Sequence, residues 1–226
     1  MNIIYYDNHI VVVNKPSGIP TQKSREHFEN LEDNIRDWLK IKFNKPGNVF
    51  LHAVHRLDLQ TGGIVVFAKT EKALKRLNEI IKDGEFHKTY LAVIENSPTI
   101  KNGTLKHYLL HKNHFTEVSD VKKDGFKKAL LEYSIIGENN GMYLAKIKLH
   151  TGRYHQIRAQ FSFIGSPVLG DKKYGSKSIY SKDKIALIHS EVSFIHPVKK
   201  EKITFKVELP DEWPWNIFDR EEKERR

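Results

Sequence analysis

His55-Arg56-Leu57-Asp58-Leu59-Gln60-Thr61-Gly62-Gly63 runs without a break into Ile64-Val65-Val66-Phe67-Ala68. The second part is a continuous apolar run, the pattern of a strand buried on both faces. The first part reads as a loop or turn, with Gly62-Gly63 as its punctuation. It places His, Arg, Asp, Gln and Thr at the mouth of the strand. Buried strands have no need of such residues at their junctions, whereas loops that bear active sites often carry them. Asp58 stands two residues from Arg56, and nearby positive charge holds a carboxylate ionised. On spacing alone, an ordinary capped turn with a surface ion pair is the commoner meaning of this pattern.

Working outward, Ile3-Ile4-Tyr5-Tyr6 and Ile10-Val11-Val12-Val13 form a strand pair split by the turn-formers Asp7-Asn8. Leu31, Ile35, Trp38, Leu39 and Phe43 share one face of a helix over Asn30 to Phe43. A short strand is expected over Phe50 to Val54. Thr70 is placed to cap a helix that carries the amphipathic run Ala73 to Ile81 and stops near Asp83-Gly84. Lys88 to Ile94 is the next strand. Further strands are expected at Leu105–Leu110, Lys128–Ile136, Met142–Leu149, Ala186–Phe194 and Ile203–Glu208, with one helix around His155 to Ile164. Turn signals stand at Gly125, Asn139-Asn140-Gly141 and Gly165-Ser166-Pro167. The polar stretches Lys112–Lys127 and Lys172–Lys184 are expected to be mobile, and the charged tail Asp219–Arg226 to fray. Helices and strands do not alternate regularly, so the fold class is α+β with a mixed, mostly antiparallel sheet.

The chain has 226 residues, 39% hydrophobic and 11% aromatic, enough for one globular unit that can divide into two lobes. Lys and Arg number 38 against 28 Asp and Glu, a net charge of +10. Such a balance favours a polyanionic partner, because cations near phosphates release condensed counterions. Charge alone serves a nucleic-acid partner and a merely basic protein equally well. No Cys is present, which excludes disulfides, thiolate chemistry and Cys-ligated metals. The first residues lack the pattern of a signal peptide, and no apolar stretch approaches a membrane span, so a cytoplasmic location is expected.

Two further stretches carry chemistry. In Thr151-Gly152-Arg153-Tyr154-His155-Gln156-Ile157-Arg158, a turn opens a helix on which His155 and Arg158 share a face. Arg158 suits a bidentate carboxylate pair and Arg153 a phosphate. A solvated basic helix face is the commoner outcome of that spacing. Lys88 and Tyr90 share a strand face, where a Tyr is usually half-buried core and otherwise a platform for an exposed base. His107, His111 and His114 lie close in sequence, as do His52 and His55, yet neither group has metal-ligand spacing. No phosphate-binding glycine loop or Ser nucleophile elbow is present.

Taken in order, these stretches resemble the RluA family of RNA pseudouridine synthases. The resemblance runs through Val11–Gly18, through His55-Arg56-Leu57-Asp58 with Thr61, Gly63, Ala68 and Lys69, and through Lys88-Thr89-Tyr90-Leu91-Ala92. It continues through Thr151–Arg158 with Gly165, Pro167, Gly170-Asp171 and Tyr174-Gly175, and closes with Leu187-Ile188-His189-Ser190, His196-Pro197, Phe205 and Leu209-Pro210. A lone His-Arg-Leu-Asp would be weak; five blocks in register are strong. Gly62 stands where the family commonly has Ser, and Tyr154 where Thr is common. The resemblance implies a pseudouridine synthase catalytic domain over 1–218, with an active-site cleft across the sheet and the charged tail beyond. Relatives often carry a small RNA-binding domain ahead of the catalytic one, and here none is expected.

The implied reaction breaks the C1′–N1 bond of a uridine, turns the uracil and rejoins C1′ to C5, with no cofactor or metal. The partner would be structured RNA, a ribosomal or transfer RNA stem-loop, met by a monomer. The resemblance assigns the essential carboxylate to Asp58; sugar attack, ring addition and sugar-proton abstraction all remain open. It pairs Arg158 with that carboxylate and stacks Tyr90 on the uracil, near the C5 proton. Arg56 would fill the space left by a flipped base. Lys15, Arg153, Lys172 and Lys173 are expected phosphate contacts. His55, Thr61, Lys88 and His155 complete the expected substrate-binding set. Two rivals remain: a non-catalytic RNA-binding or ribosome-assembly protein on the same fold, and a nuclease or N-glycosidase. A nuclease would want clustered carboxylates for metal ions, and the sequence shows none.

Overall fold

The computed structural model describes residues 2–23, 29–182 and 184–218; the charged tail lies outside them. The chain divides into two units, one built from residues up to His87 plus Glu191–Val207, the other from Lys88–Ser190 plus the segment after Val207.

In the first unit, β1 (Asn2–Tyr6) and β2 (Ile10–Lys15) fold back on each other. The Asp7 carboxylate makes the turn, accepting the N–H groups of His9 at 2.7 Å and Ile10 at 2.9 Å. His196 Nε2 lies 2.9 Å from the other oxygen of that carboxylate. The two-residue strand β3 (His52–Ala53) and β2 both pair antiparallel with β4 (Gly62–Ala68). Gly62 and Gly63, expected as turn residues, therefore open the strand instead. The reason is close approach: a Cβ at Gly62 would stand 3.3 Å from Ser17 Oγ and 3.4 Å from the Lys15 carbonyl.

Helix α1 (Leu31–Lys42) is capped by the Asn30 side chain, which accepts from Asp33 N–H at 3.0 Å. Thr70 caps α2 (Glu71–Lys82) as expected, accepting from Ala73 N–H at 3.1 Å. Of the expected α1 face, Leu31, Ile35 and Leu39 are buried, while Phe43 is 42% exposed and packs edge-on to Tyr6. The core joins Ile10, Val12, Ile64 and Val66 to Ala73, Leu77 and Phe86. Phe86 stacks on Phe194 of β10 (Leu187–Ile195) at 4.9 Å, and β10 pairs with β11 (Lys202–Lys206).

In the second unit, β5 (His87–Glu95), β9 (Met142–Leu149), β8 (Lys127–Asn139), β6 (Asn102–Lys112) and β7 (Phe115–Ser119) neighbour one another in that order, all antiparallel. The first residues of β10 belong here and its later ones to the first unit. Asn140 (φ 49°) and Gly141 (φ 73°) are both left-handed, as a tight two-residue hairpin requires. Asn113 and His114, also left-handed, turn β6 into β7. Helix α3 (Gln156–Phe163) follows β9. The sheet is mixed and mostly antiparallel with flanking helices, the α+β class expected.

Both polar stretches expected to be mobile carry built structure. The first contains β7, in which the polar Thr116 and Ser119 are buried while Phe115 is exposed, so no hydrophobic alternation marks it. Thr116 is satisfied there by the Tyr154 carbonyl at 2.7 Å. The second opens with a 3-10 turn, Lys172–Tyr174, and is then clamped by Glu95, whose carboxylate accepts from Ser176 Oγ at 2.6 Å and from the N–H groups of Lys177 and Ser178. Those donors hold the Glu95 carboxyl below its ordinary range although burial opposes ionisation.

Candidate active site

The residues expected at the site fall into two sets, one in each unit. Asp58 belongs to the first, on the loop between β3 and β4, with a half-buried side chain. The residues on both sides of it are tied down twice. Thr21 Oγ1 accepts the Leu57 N–H at 3.2 Å, and its hydroxyl donates to the Leu57 carbonyl at 3.3 Å. The Leu59 carbonyl accepts from Gly18 N–H at 2.9 Å and from Lys15 Nζ at 3.2 Å. Thr61 N–H then closes a turn on the Asp58 carbonyl at 3.1 Å. A carboxylate carried between two fixed residues has its direction set in advance, which chemistry on a positioned substrate needs.

Lys15 was expected at a phosphate. Its side chain is instead 1% exposed, and its ammonium donates to the carbonyls of Pro16 at 3.0 Å, Ile19 at 2.7 Å and Leu59. It braces the Asp58 loop from within. Burial drives its pKa down to about 8, and the charge of Asp58 opposes that fall. His55 Nε2 accepts the Val66 N–H at 3.3 Å, and its ring packs on Phe86 at 5.4 Å. This ties the start of the loop to the middle of β4. Thr61 is 2% exposed. Arg56 is the exposed side chain of the stretch 55–61, as suits a group meant to meet RNA.

The second set lies on β5, α3 and the segment after it. The Tyr90 ring is 6% exposed and stacks face to face on His189, fully buried on β10, with centroids 4.5 Å apart. Lys88 precedes it with a half-buried side chain whose pKa burial lowers. Its Nζ lies beside Gly152, 3.5 Å from where a Cβ would stand.

Arg158 is 3% exposed and forms a bidentate pair with Asp171, itself 1% exposed: Nε to Oδ2 at 2.6 Å and Nη2 to Oδ1 at 2.9 Å. The guanidinium also lies over the Tyr174 ring at 5.1 Å. Arg158 thus holds a carboxylate bidentately, and that carboxylate is Asp171 of the same unit, whereas the resemblance pairs Arg158 with Asp58. Asp171 is thirteen residues away through a turn, a separation with no periodicity to mark it.

His155 was expected to meet RNA. It caps α3 in a left-handed conformation (φ 50°) and is 9% exposed, with Nδ1 3.1 Å from the Tyr174 hydroxyl. Burial, with Arg158 and Lys173 beside it, pushes its pKa down to about 3. An unfolded chain protonates this side chain near its ordinary 6.5, and the folded protein only near 3. Between those values the unfolded state binds more protons, so stability falls as pH drops from 6.5 toward 3. His155→Gln should flatten that slope in urea melts at a series of pH values; an unchanged slope would place the acid lability elsewhere.

Arg153 is exposed and donates from Nε to the Lys128 carbonyl at 3.1 Å. Lys172 and Lys173 are exposed, and Lys173 Nζ reaches the His114 carbonyl at 3.2 Å. These cations are placed where a phosphate could approach. Among the described residues, no three His, Asp or Glu side chains gather as a metal site, and no helix is long and apolar enough to cross a membrane.

Residues 9–163 match the protein family described as RNA pseudouridylate synthase. A large-subunit ribosomal pseudouridine synthase D from Borreliella burgdorferi is 32% identical over 196 residues, covering 83% of this chain and 59% of that protein. An uncharacterised RNA pseudouridine synthase from Aquifex aeolicus is 34% identical, covering 93% of this chain and 70% of its own. The chain therefore spans between about three-fifths and three-quarters of such relatives. In three dimensions it resembles human RNA pseudouridylate synthase domain containing 4, with a TM-score of 0.77 at 21% identity over 92% of this chain and 88% of that one. That likeness speaks for the fold. The matched segment contains the Asp58 loop, Tyr90 and Arg158, and this chain belongs to the RNA pseudouridylate synthase family, a class of RNA-modifying isomerases.

Proposed function

We propose that this protein converts uridine to pseudouridine in structured RNA, with Asp58 as the essential group, and that it stands in the RluA branch of its family. The observation that carries the reading is the Asp58 loop: a half-buried carboxylate fixed on both sides, beside an exposed Arg56. A non-catalytic RNA-binding protein would have no use for a carboxylate held this way at a polyanion. Ribosomal RNA is the favoured substrate, because large-subunit synthases recur among the similar proteins; transfer RNA remains the second test substrate.

In the reaction the C1′–N1 bond breaks, the uracil turns, C1′ bonds to C5, and the proton on C5 leaves while N1 gains one. Asp58 acts on the nucleoside at the sugar or the ring, and every route needs it ionised. Arg158, by the family resemblance, serves Asp58 as its cationic partner. Tyr90, whose ring plane is set by His189, stacks against the uracil and takes the C5 proton. Arg56 occupies the gap left when the target base is extruded.

Tyr90→Phe keeps the ring, so RNA binding should persist while single-turnover product formation slows by roughly a hundredfold; an unchanged rate removes the hydroxyl from the mechanism. The test of the whole reading is purified protein with unmodified transcripts of ribosomal and transfer RNA. Pseudouridine without free uracil supports it. Free uracil would indicate an N-glycosidase, and binding with neither product a non-catalytic RNA-binding protein.

A further inference from the structure

Three rings stand in one column at the edge of the second unit. His111 stacks on Tyr154 with centroids 3.9 Å apart and planes at 26°, and Tyr154 stacks on His155 at 3.9 Å and 21°. The inner ring is buried, whereas Tyr154 is 39% exposed and His111, at the outer end, is exposed. An exposed aromatic stack does nothing for the core, yet this one is firmly built. Thr116 Oγ1 donates to the Tyr154 carbonyl at 2.7 Å, Thr116 N–H donates to the Tyr174 hydroxyl at 2.9 Å, and Phe115 stacks on Tyr174 at 4.8 Å. The β6–β7 hairpin that carries His111 is thereby bolted to the segments that carry Tyr154 and Tyr174.

The surroundings are cationic. Lys112 follows His111, Arg153 precedes Tyr154 and reaches the Lys128 carbonyl, and Lys173 reaches the carbonyl of His114 at the hairpin turn. Lys112, Arg153 and Lys173 are all exposed. A flat π face already ordered, ringed by positive charge, fits a nucleobase on a phosphate backbone better than a protein side chain.

We propose that the His111–Tyr154 stack is a docking platform for an unpaired base of the RNA substrate. The inference rests on the function proposed above and extends it by naming specificity-determining residues.

The test measures affinity for an unmodified transcript of large-subunit ribosomal RNA across a salt series. Tyr154→Thr and His111→Ala should each raise Kd by about tenfold, and up to about a hundredfold, the loss of one stacked base. The slope of affinity against salt should stay as in wild type, because no phosphate contact is removed. Tyr154→Phe, which keeps the ring, should bind within about twofold of wild type on the same stacking argument. Zero-length ultraviolet crosslinking of the unaltered protein should attach a nucleotide to the peptide holding Tyr154 or His111, a readout independent of how any variant folds. Equal affinity of all variants, or crosslinks confined to other peptides, would overturn the platform while leaving the synthase reading standing if the wild type still makes pseudouridine. A wild type that neither binds nor modifies RNA overturns both.

Discussion

Asp58→Asn should lower pseudouridine formation by on the order of 10⁴-fold or more while leaving the melting temperature and RNA affinity near wild type. The backbone bonds that hold the loop come from Thr21, Gly18, Lys15 and the Thr61 N–H, and none uses the Asp58 carboxylate. The amide is therefore carried in the same place as the acid it replaces. What is lost is the charge, and every route open to this residue depends on it. The variant also has a spectroscopic signature. Lys15 is driven to about 8 by burial, and the negative charge of Asp58 is the force that opposes the drop. Without that charge the Lys15 ammonium should titrate below its wild-type value, readable by NMR of a labelled Lys side chain. Wild-type turnover in Asp58→Asn would remove the residue from the chemistry. An unmoved Lys15 would show that the two groups are not electrically coupled.

Asp171→Asn should be the most damaging single change to stability. Arg158 and Asp171 are 3% and 1% exposed, and removing the Asp171 charge takes from the buried guanidinium its bidentate carboxylate. Such a break costs about 3–5 kcal/mol, which for a chain of this size lowers the melting temperature by roughly 10 °C. Activity should fall as well, measured at a temperature where the variant is folded, with kcat rather than KM carrying the loss. Asp171 does not touch substrate in this account; it positions Arg158. Replacing both partners by apolar residues, Arg158→Met with Asp171→Leu, should recover much of the stability and none of the activity. Recovery of both would show that the pair serves only the fold.

The sheet was legible because its strands follow the hydrophobic patterns their burial demands. Ile64–Ala68 is buried on both faces and reads as an unbroken apolar run. The caps Asn30 and Thr70 and the Asn140-Gly141 turn were legible for local reasons, since each satisfies backbone groups or dihedrals within a few residues. Strand β7 was hidden because its buried residues Thr116 and Ser119 are polar and its Phe115 is exposed, so no apolar alternation announces it. Gly62-Gly63 read as a turn, yet it opens a strand for want of room beside Ser17 and Lys15. At the site, Asp58 and Tyr90 were found through resemblance rather than spacing.

The misjudged cations share one cause. A Lys in a basic chain reads as a surface charge, and nothing in the stretch around Lys15 announces that three carbonyls will close around its ammonium. His155 followed the same course, buried under Tyr154 and held neutral where an RNA contact was expected. Asp171 and His189 act through partners that only the folded chain supplies: Arg158 across a turn, and Tyr90 from another strand.

The most direct measurement is a pseudouridine map of ribosomal and transfer RNA from cells that have the gene, lack it, or lack it and carry either the wild-type or the Asp58→Asn copy. The account predicts one or more uridines that are pseudouridine only when wild-type protein is present and stay unmodified with Asp58→Asn. Identical maps in all four strains, or restoration by Asp58→Asn, would contradict it.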